Sequence, residues 1–88
     1  MKDLIEKGAF LVDVRTPEEF AQGHVNASVN IPLDELPNHL SAFDGKENII
    51  VFCRSGARSG MAKSILNQAG YQNVVNGGPW TDVKALID

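Results

Sequence analysis

The chain holds a single cysteine, Cys53, inside the run Cys53-Arg54-Ser55-Gly56-Ala57-Arg58-Ser59. A thiol, two guanidinium groups and two hydroxyls within seven residues can generate and hold a thiolate. A free thiol ionises near pH ~8.5, and a helix N-terminus or neighbouring cations lower that to roughly 3.5–7.5. Gly56 supplies the backbone freedom that a tight loop around the sulfur requires. Backbone amides converging in such a loop favour an anion.

The neighbouring segments say how this loop is carried. Ile49-Ile50-Val51-Phe52 is a short continuous apolar run of β-branched and aromatic residues, the pattern of a strand buried on both faces. From Gly60 to Gly70, the residues Met61, Ala62, Ile65, Leu66 and Ala69 recur at helical spacing, which predicts a helix with one stripe on the core and Gly70 as its stop. The cysteine therefore falls where a strand ends and a helix begins. In an open parallel sheet, that edge is where ligands bind.

The remaining chain supplies alternating elements. Residues 1–8 suit a short amphipathic helix ending at Gly8, and Ala9 to Val14 reads as a strand. Thr16-Pro17-Glu18-Glu19 is a helix start, with Thr16 as N-cap and Glu19 completing a capping box. Gly23 ends that helix. Val25 to Asn30 reads as a second strand and about Leu36 to Ser41 as a helix. Asp44-Gly45-Lys46 is a turn, Tyr71 to Val75 a last strand, Asn76-Gly77-Gly78-Pro79 a loop, and Trp80 to Leu86 a terminal helix. Strands and helices alternating at such short intervals call for an α/β fold, a doubly wound, mostly parallel sheet of four to five short strands flanked by helices on both faces.

Eighty-eight residues, 43% hydrophobic and 22% charged, fit one domain spanning residues 1–88. A net charge of -3 argues against nucleic acid or an anionic membrane as the main partner. No apolar run is long enough for a membrane span, and no leader-like start is visible. The expected compartment is the cytoplasm, or the periplasm if a leader has been removed. One cysteine rules out an internal disulfide, and His24, His39 and Cys53 lack the spacing of metal ligands. Arg54 and Arg58 place two positive charges in a loop without carboxylates, so an anionic substrate fits there despite the acidic whole.

The loop resembles the active-site loop of the rhodanese family of sulfurtransferases: a cysteine, four intervening residues and an arginine between a buried strand and a helix. Asp13-Val14-Arg15-Thr16-Pro17-Glu18-Glu19-Phe20, Gly23-His24-Val25 and Asn30-Ile31-Pro32 resemble the amino-terminal signature of that family, and Asn76-Gly77-Gly78 with Trp80 its closing turn. The match runs in order over nearly the whole chain. It implies a minimal, phage-shock-protein-like single domain, since the short strand that begins larger members is missing.

The resemblance also implies a reaction. Cys53 would take the outer sulfur of thiosulfate as a persulfide, release sulfite, and pass the sulfur to cyanide or a thiol, without a cofactor or metal. Arg54, Ser55, Gly56, Ala57, Arg58 and Ser59 would bind the donor, and thiosulfate is expected over 3-mercaptopyruvate because of the two arginines. Two other readings remain open. One is a persulfide carrier that docks on a protein acceptor with little turnover. The other is a phosphatase or arsenate reductase, whose related loops carry one more residue between cysteine and arginine.

Blander readings stand beside these. A lone cysteine is usually a small buried hydrophobe, Ser55 and Ser59 can simply cap the helix, and Arg58 can pack its stem on the sheet. Asp13 is expected to accept hydrogen bonds from a neighbouring loop, Arg15 to pair with Glu18 or Glu19, His24 to belong to a packing turn, and Trp80 to sit in the core.

Overall fold

The computed structural model describes residues 1–87. In chain order, the elements are α1 (Lys2–Glu6), β1 (Phe10–Asp13), α2 (Pro17–Ala21), β2 (Val29–Asn30), two 3₁₀ helices (Leu33–Asn38 and Leu40–Phe43), β3 (Ile49–Cys53), α3 (Ala57–Gln68), β4 (Val74–Pro79) and α4 (Trp80–Ile87). Four parallel strands form one sheet in the order β2-β1-β3-β4. All five residues of β3 are buried, as its unbroken apolar run predicts for a strand covered on both faces.

Strand alternation divides the core in two. Val12, Ile49, Val51 and Cys53 face a layer completed by Ala62 and Leu66 of α3 and by Leu36 and Phe43 of the 3₁₀ helices. Leu11, Ile50 and Phe52 face the other layer, closed by Val83 of α4 and flanked by Leu4, Ile5 and Trp80. Fully burying a side chain such as Phe52 stabilises the fold by about 1.5–3 kcal/mol. Helices therefore cover both faces, and the sheet lies on the four-strand side of the expectation.

Several elements differ from their sequence signals. The extended stretch expected over Val25 to Asn30 shrinks to the two residues of β2, because the chain turns first, with the Ser28 N–H and hydroxyl both donating to the Val25 carbonyl. The helix expected at Leu36 to Ser41 is instead two 3₁₀ segments broken at His39. Pro37 lies inside the first, where its missing N–H and its ring disfavour an α-helical ladder. The last strand begins at Val74 rather than Tyr71, since Tyr71 N–H closes the exit of α3 on the Leu66 carbonyl. It then runs through Asn76-Gly77-Gly78-Pro79, which the sequence presents as a loop. A β-bulge explains this: Val51 pairs with Asn76 but Phe52 pairs with Gly78, leaving Gly77 extra. A Cβ at Gly77 would lie 3.0 Å from both Ile50 and Val83. Along α3 the buried face is Ser59, Ala62 and Leu66, while Met61 and Ala69 are exposed.

The end of β1 is held by charge. Asp13 is fully buried at the end of β1 and accepts from the Arg15 backbone N–H and from its guanidinium, at 2.7–3.0 Å. Arg15, itself 4% exposed, also donates to the Gly23 carbonyl at 2.7 Å and lies 4.5 Å over the Trp80 ring. Arg15 thus pairs with Asp13, not with Glu18 or Glu19, because burial beside Asp13 offers it a bidentate partner two residues away. Replacing Asp13 with alanine strands a buried guanidinium, so a urea melt of Asp13→Ala should show a loss of about 3–5 kcal/mol. A loss under about 1 kcal/mol, the worth of an exposed pair, would contradict this account.

Candidate active site

Cys53 ends β3 beside the end of β1, at the point where the chain leaves β1 for one edge of the sheet and β3 for the other. This is the switch point at which parallel sheets bind ligands. Its side chain continues the Ile49, Val51 face, and the residue has no solvent exposure. The sulfur nevertheless meets polar groups. The Gly56 N–H donates to Sγ at 3.0 Å, the Ser59 N–H at 3.4 Å, and the Ser59 hydroxyl lies 3.4 Å away.

The loop folds this way because α3 starts at Ala57, not at Gly60, so Arg58 and Ser59 already belong to its first turn. Gly56 is the N-cap in the left-handed region, at φ +107°, and a Cβ there would lie 3.4 Å from the Gly78 backbone. Neither serine caps the helix. Ser59 is instead fully buried, with its hydroxyl 2.6 Å from Asn76 Oδ1. Burial pushes the Cys53 thiol pKa up, but the Ser59 hydroxyl and the N–H groups of Ser59, Gly56 and Ser55 more than offset it, leaving it below that of a free thiol. Amides and a hydroxyl, rather than the two guanidinium groups of the sequence argument, lead this effect.

The arginines part company. Arg54 is exposed and has no ion-pair partner among the described residues. Arg58 is half-buried and donates twice to Glu19 of α2, at 2.7 and 3.0 Å. The loop carries no carboxylate, as its sequence shows, but the fold delivers one from α2. Hydrogen bonds from Arg58, then from the Thr16 backbone, lower the Glu19 pKa to about 2. The same carboxylate completes the expected capping box on Thr16.

Arg58 also lines a cleft of about 340 Å³ with Val14, Thr16, Pro32, Leu33 and Asp34. Val14 donates its N–H to the Phe52 carbonyl, one residue before the cysteine. Cys53 itself is not among the lining residues. Two residues that sequence reasoning did not connect with the loop thus touch it: Glu19, read as a cap and as a candidate partner of Arg15, and Asn76, read as part of a turn. His24 stacks on Phe20 with ring centroids 4.0 Å apart and places Nδ1 2.9 Å from the Phe20 carbonyl, a packing role. Among the described residues, no group of three His, Cys, Asp or Glu side chains could hold a metal, and no helix is long and apolar enough to cross a membrane.

The chain is similar in sequence and fold to known proteins. The family model described as the rhodanese-like domain matches residues 1–78. Thiosulfate sulfurtransferase PspE of Escherichia coli strain K12 is 39% identical over 74 residues, covering 82% of this chain and 71% of that protein. A solved structure described as rhodanese with anions from E. coli superposes with a TM-score of 0.77 at 38% identity, covering 85% of this chain and 91% of the other. The human single-domain sulfurtransferase TSTD1 gives a TM-score of 0.80 at 30% identity, over 93% and 87% of the two chains. The fold, the position of the cysteine loop and these likenesses agree: the chain belongs to the rhodanese family.

Proposed function

We propose that the protein is a thiosulfate sulfurtransferase working through a persulfide on Cys53. The Cys53 thiolate attacks the outer sulfur of thiosulfate, the sulfur–sulfur bond of the donor breaks, and sulfite leaves with the electron pair. The thiolate of a thiol acceptor, or cyanide, then attacks the terminal sulfur of the persulfide, and Cys53 departs as thiolate. Neither step needs a proton taken by a general base, because nucleophile and leaving group are both anions. The convergence of Gly56 N–H, Ser59 N–H and Ser59 hydroxyl on Sγ carries this reading, since those donors hold negative charge on the resting and the returning sulfur.

Arg54, exposed and without an ion-pair partner among the described residues, would meet the sulfonate end of the donor, with Arg58 contributing a charge already offset by Glu19. Ser55, Gly56 and Ala57 would contribute backbone rather than side chain. The four residues between Cys53 and Arg58 form a smaller ring than related phosphatase loops, which favours one added sulfur over a phosphoryl group.

Treatment with thiosulfate should add the mass of one sulfur atom at Cys53, removable by cyanide, and Cys53→Ser should abolish both the adduct and thiocyanate formation. An unchanged mass sinks the proposal, whereas an adduct that thiols and cyanide do not discharge would reduce the protein to a carrier.

Persulfide formation should rise with pH with its midpoint below the ordinary thiol value of roughly 8.5, because the loop favours the thiolate. A midpoint at or above that value would contradict the placement of the amides.

Glu19→Gln keeps a side chain able to cap Thr16 while removing the charge that offsets Arg58. With about 1 kcal/mol expected for a unit charge at ~4 Å in water, KM for thiosulfate should fall about fivefold. An unaltered KM would show that Arg58 takes no part in donor binding.

A further inference from the structure

Asn76 lies on β4, two residues beyond Val74, on the sheet face that also carries Cys53 and packs against α3. Its exposed amide touches the loop twice and its own strand once. Nδ2 donates to the Gly56 carbonyl at 3.1 Å, while Oδ1 accepts from the Ser59 hydroxyl at 2.6 Å and from the Gly78 N–H at 3.0 Å. The β-bulge at Gly77 makes the last contact, turning the Gly78 amide back toward the side chain of Asn76.

The Ser59 hydroxyl has one proton and three acceptors within reach: Asn76 Oδ1 at 2.6 Å, the Gly56 carbonyl at 3.2 Å and Cys53 Sγ at 3.4 Å. The Gly56 carbonyl already accepts from Asn76 Nδ2 and from the Gly60 N–H. Competition for the proton is therefore between Asn76 and the sulfur.

We propose that Asn76 is a positioning residue that, through the Ser59 hydroxyl, sets how readily Cys53 becomes a thiolate. This rests on the reading of Cys53 as the nucleophile. With the thiol protonated, S–H donates to Ser59 Oγ and the hydroxyl donates to Asn76. When the thiol loses its proton to water, the hydroxyl swings to the sulfur. Asn76 Oδ1 is not orphaned by that swing, because the Gly78 N–H continues to satisfy it. The bulge thus makes both settings of one hydroxyl affordable, and Nδ2 holds the left-handed Gly56, whose own N–H points at Sγ. The charged groups around this centre are Arg54, Arg58 with Glu19, and Asp13 with Arg15. None of them hydrogen-bonds to Sγ or to Asn76.

The test is the pH dependence of Cys53 alkylation by iodoacetamide, which needs no sulfur donor and so stands or falls apart from sulfur transfer. In Asn76→Asp a carboxylate oxygen binds the Ser59 proton more strongly and keeps it from the sulfur, while the bond from Nδ2 to the Gly56 carbonyl is lost whether or not the Ser59 hydroxyl is present. The alkylation midpoint should rise by on the order of one pH unit, a tenfold loss of thiolate at fixed low pH. The rise should persist near 1 M salt, where the Debye length is about 3 Å and a through-space charge effect is screened. In the Ser59→Ala background, Asn76→Asp should move the midpoint much less, because the hydroxyl that transmits the effect is gone. An unchanged midpoint, an equal rise in both backgrounds, or a rise erased by salt would each overturn the proposal. If Ser59→Ala fails to fold, the salt dependence of the single variant decides alone.

Discussion

A sulfur with no solvent exposure can carry negative charge only where the protein supplies the donors that water would have given. In this chain those donors are the amides of Gly56 and Ser59 and the Ser59 hydroxyl, and their aim depends on one backbone conformation. Gly56 in the left-handed region lets α3 begin within the loop, so the first turn of the helix faces the end of β3. A residue with a Cβ would be strained at that φ, and its Cβ would come into contact with the Gly78 backbone. Glycine at position 56 thus joins the chemistry of the cysteine to the packing of β4.

Charge is arranged in two tiers around this point. Asp13 and Arg15 are buried together, satisfy each other in several hydrogen bonds, and reach Gly23 and Trp80, so they bind the end of β1 to the chain after α2. Removing either alone leaves an uncompensated buried ion. Glu19 and Arg58 are partly open and link α2 to the first turn of α3. The first pair is architecture. The second also sets the electrostatics of the cleft, since it offsets one of the two positive charges that the loop sequence advertises, leaving Arg54 as the loop cation without an ion-pair partner among the described residues.

The sheet is small, and this explains why so many positions serve twice. Thr16 and Glu19 cap α2 while Glu19 holds Arg58. Asn76 belongs to a strand, yet fastens the Gly56 carbonyl and takes the Ser59 proton. In a fold with four short strands, the loop around the cysteine touches β4 and α2 directly.

The sequence by itself determined the elements whose signals are local. An unbroken apolar run gave a doubly covered β3, Thr16-Pro17-Glu18-Glu19 a capped α2, and helical spacing the body of α3. It also placed the lone thiol at a strand-to-helix junction, because strand end, glycine and helix start all lie within a few residues. Its mistakes came where spacing is a poor guide: Pro37 split a helical pattern into 3₁₀ turns, and two glycines in a strand read as a loop until the bulge on Phe52 accounted for them. Only the tertiary structure decided which carboxylate meets Arg58, which of the two loop arginines that carboxylate engages, and which acceptor competes for the Ser59 proton. Glu19 and Arg58 are 39 residues apart and Ser59 and Asn76 are 17 apart, and such pairs are brought together by sheet order, which no local pattern encodes.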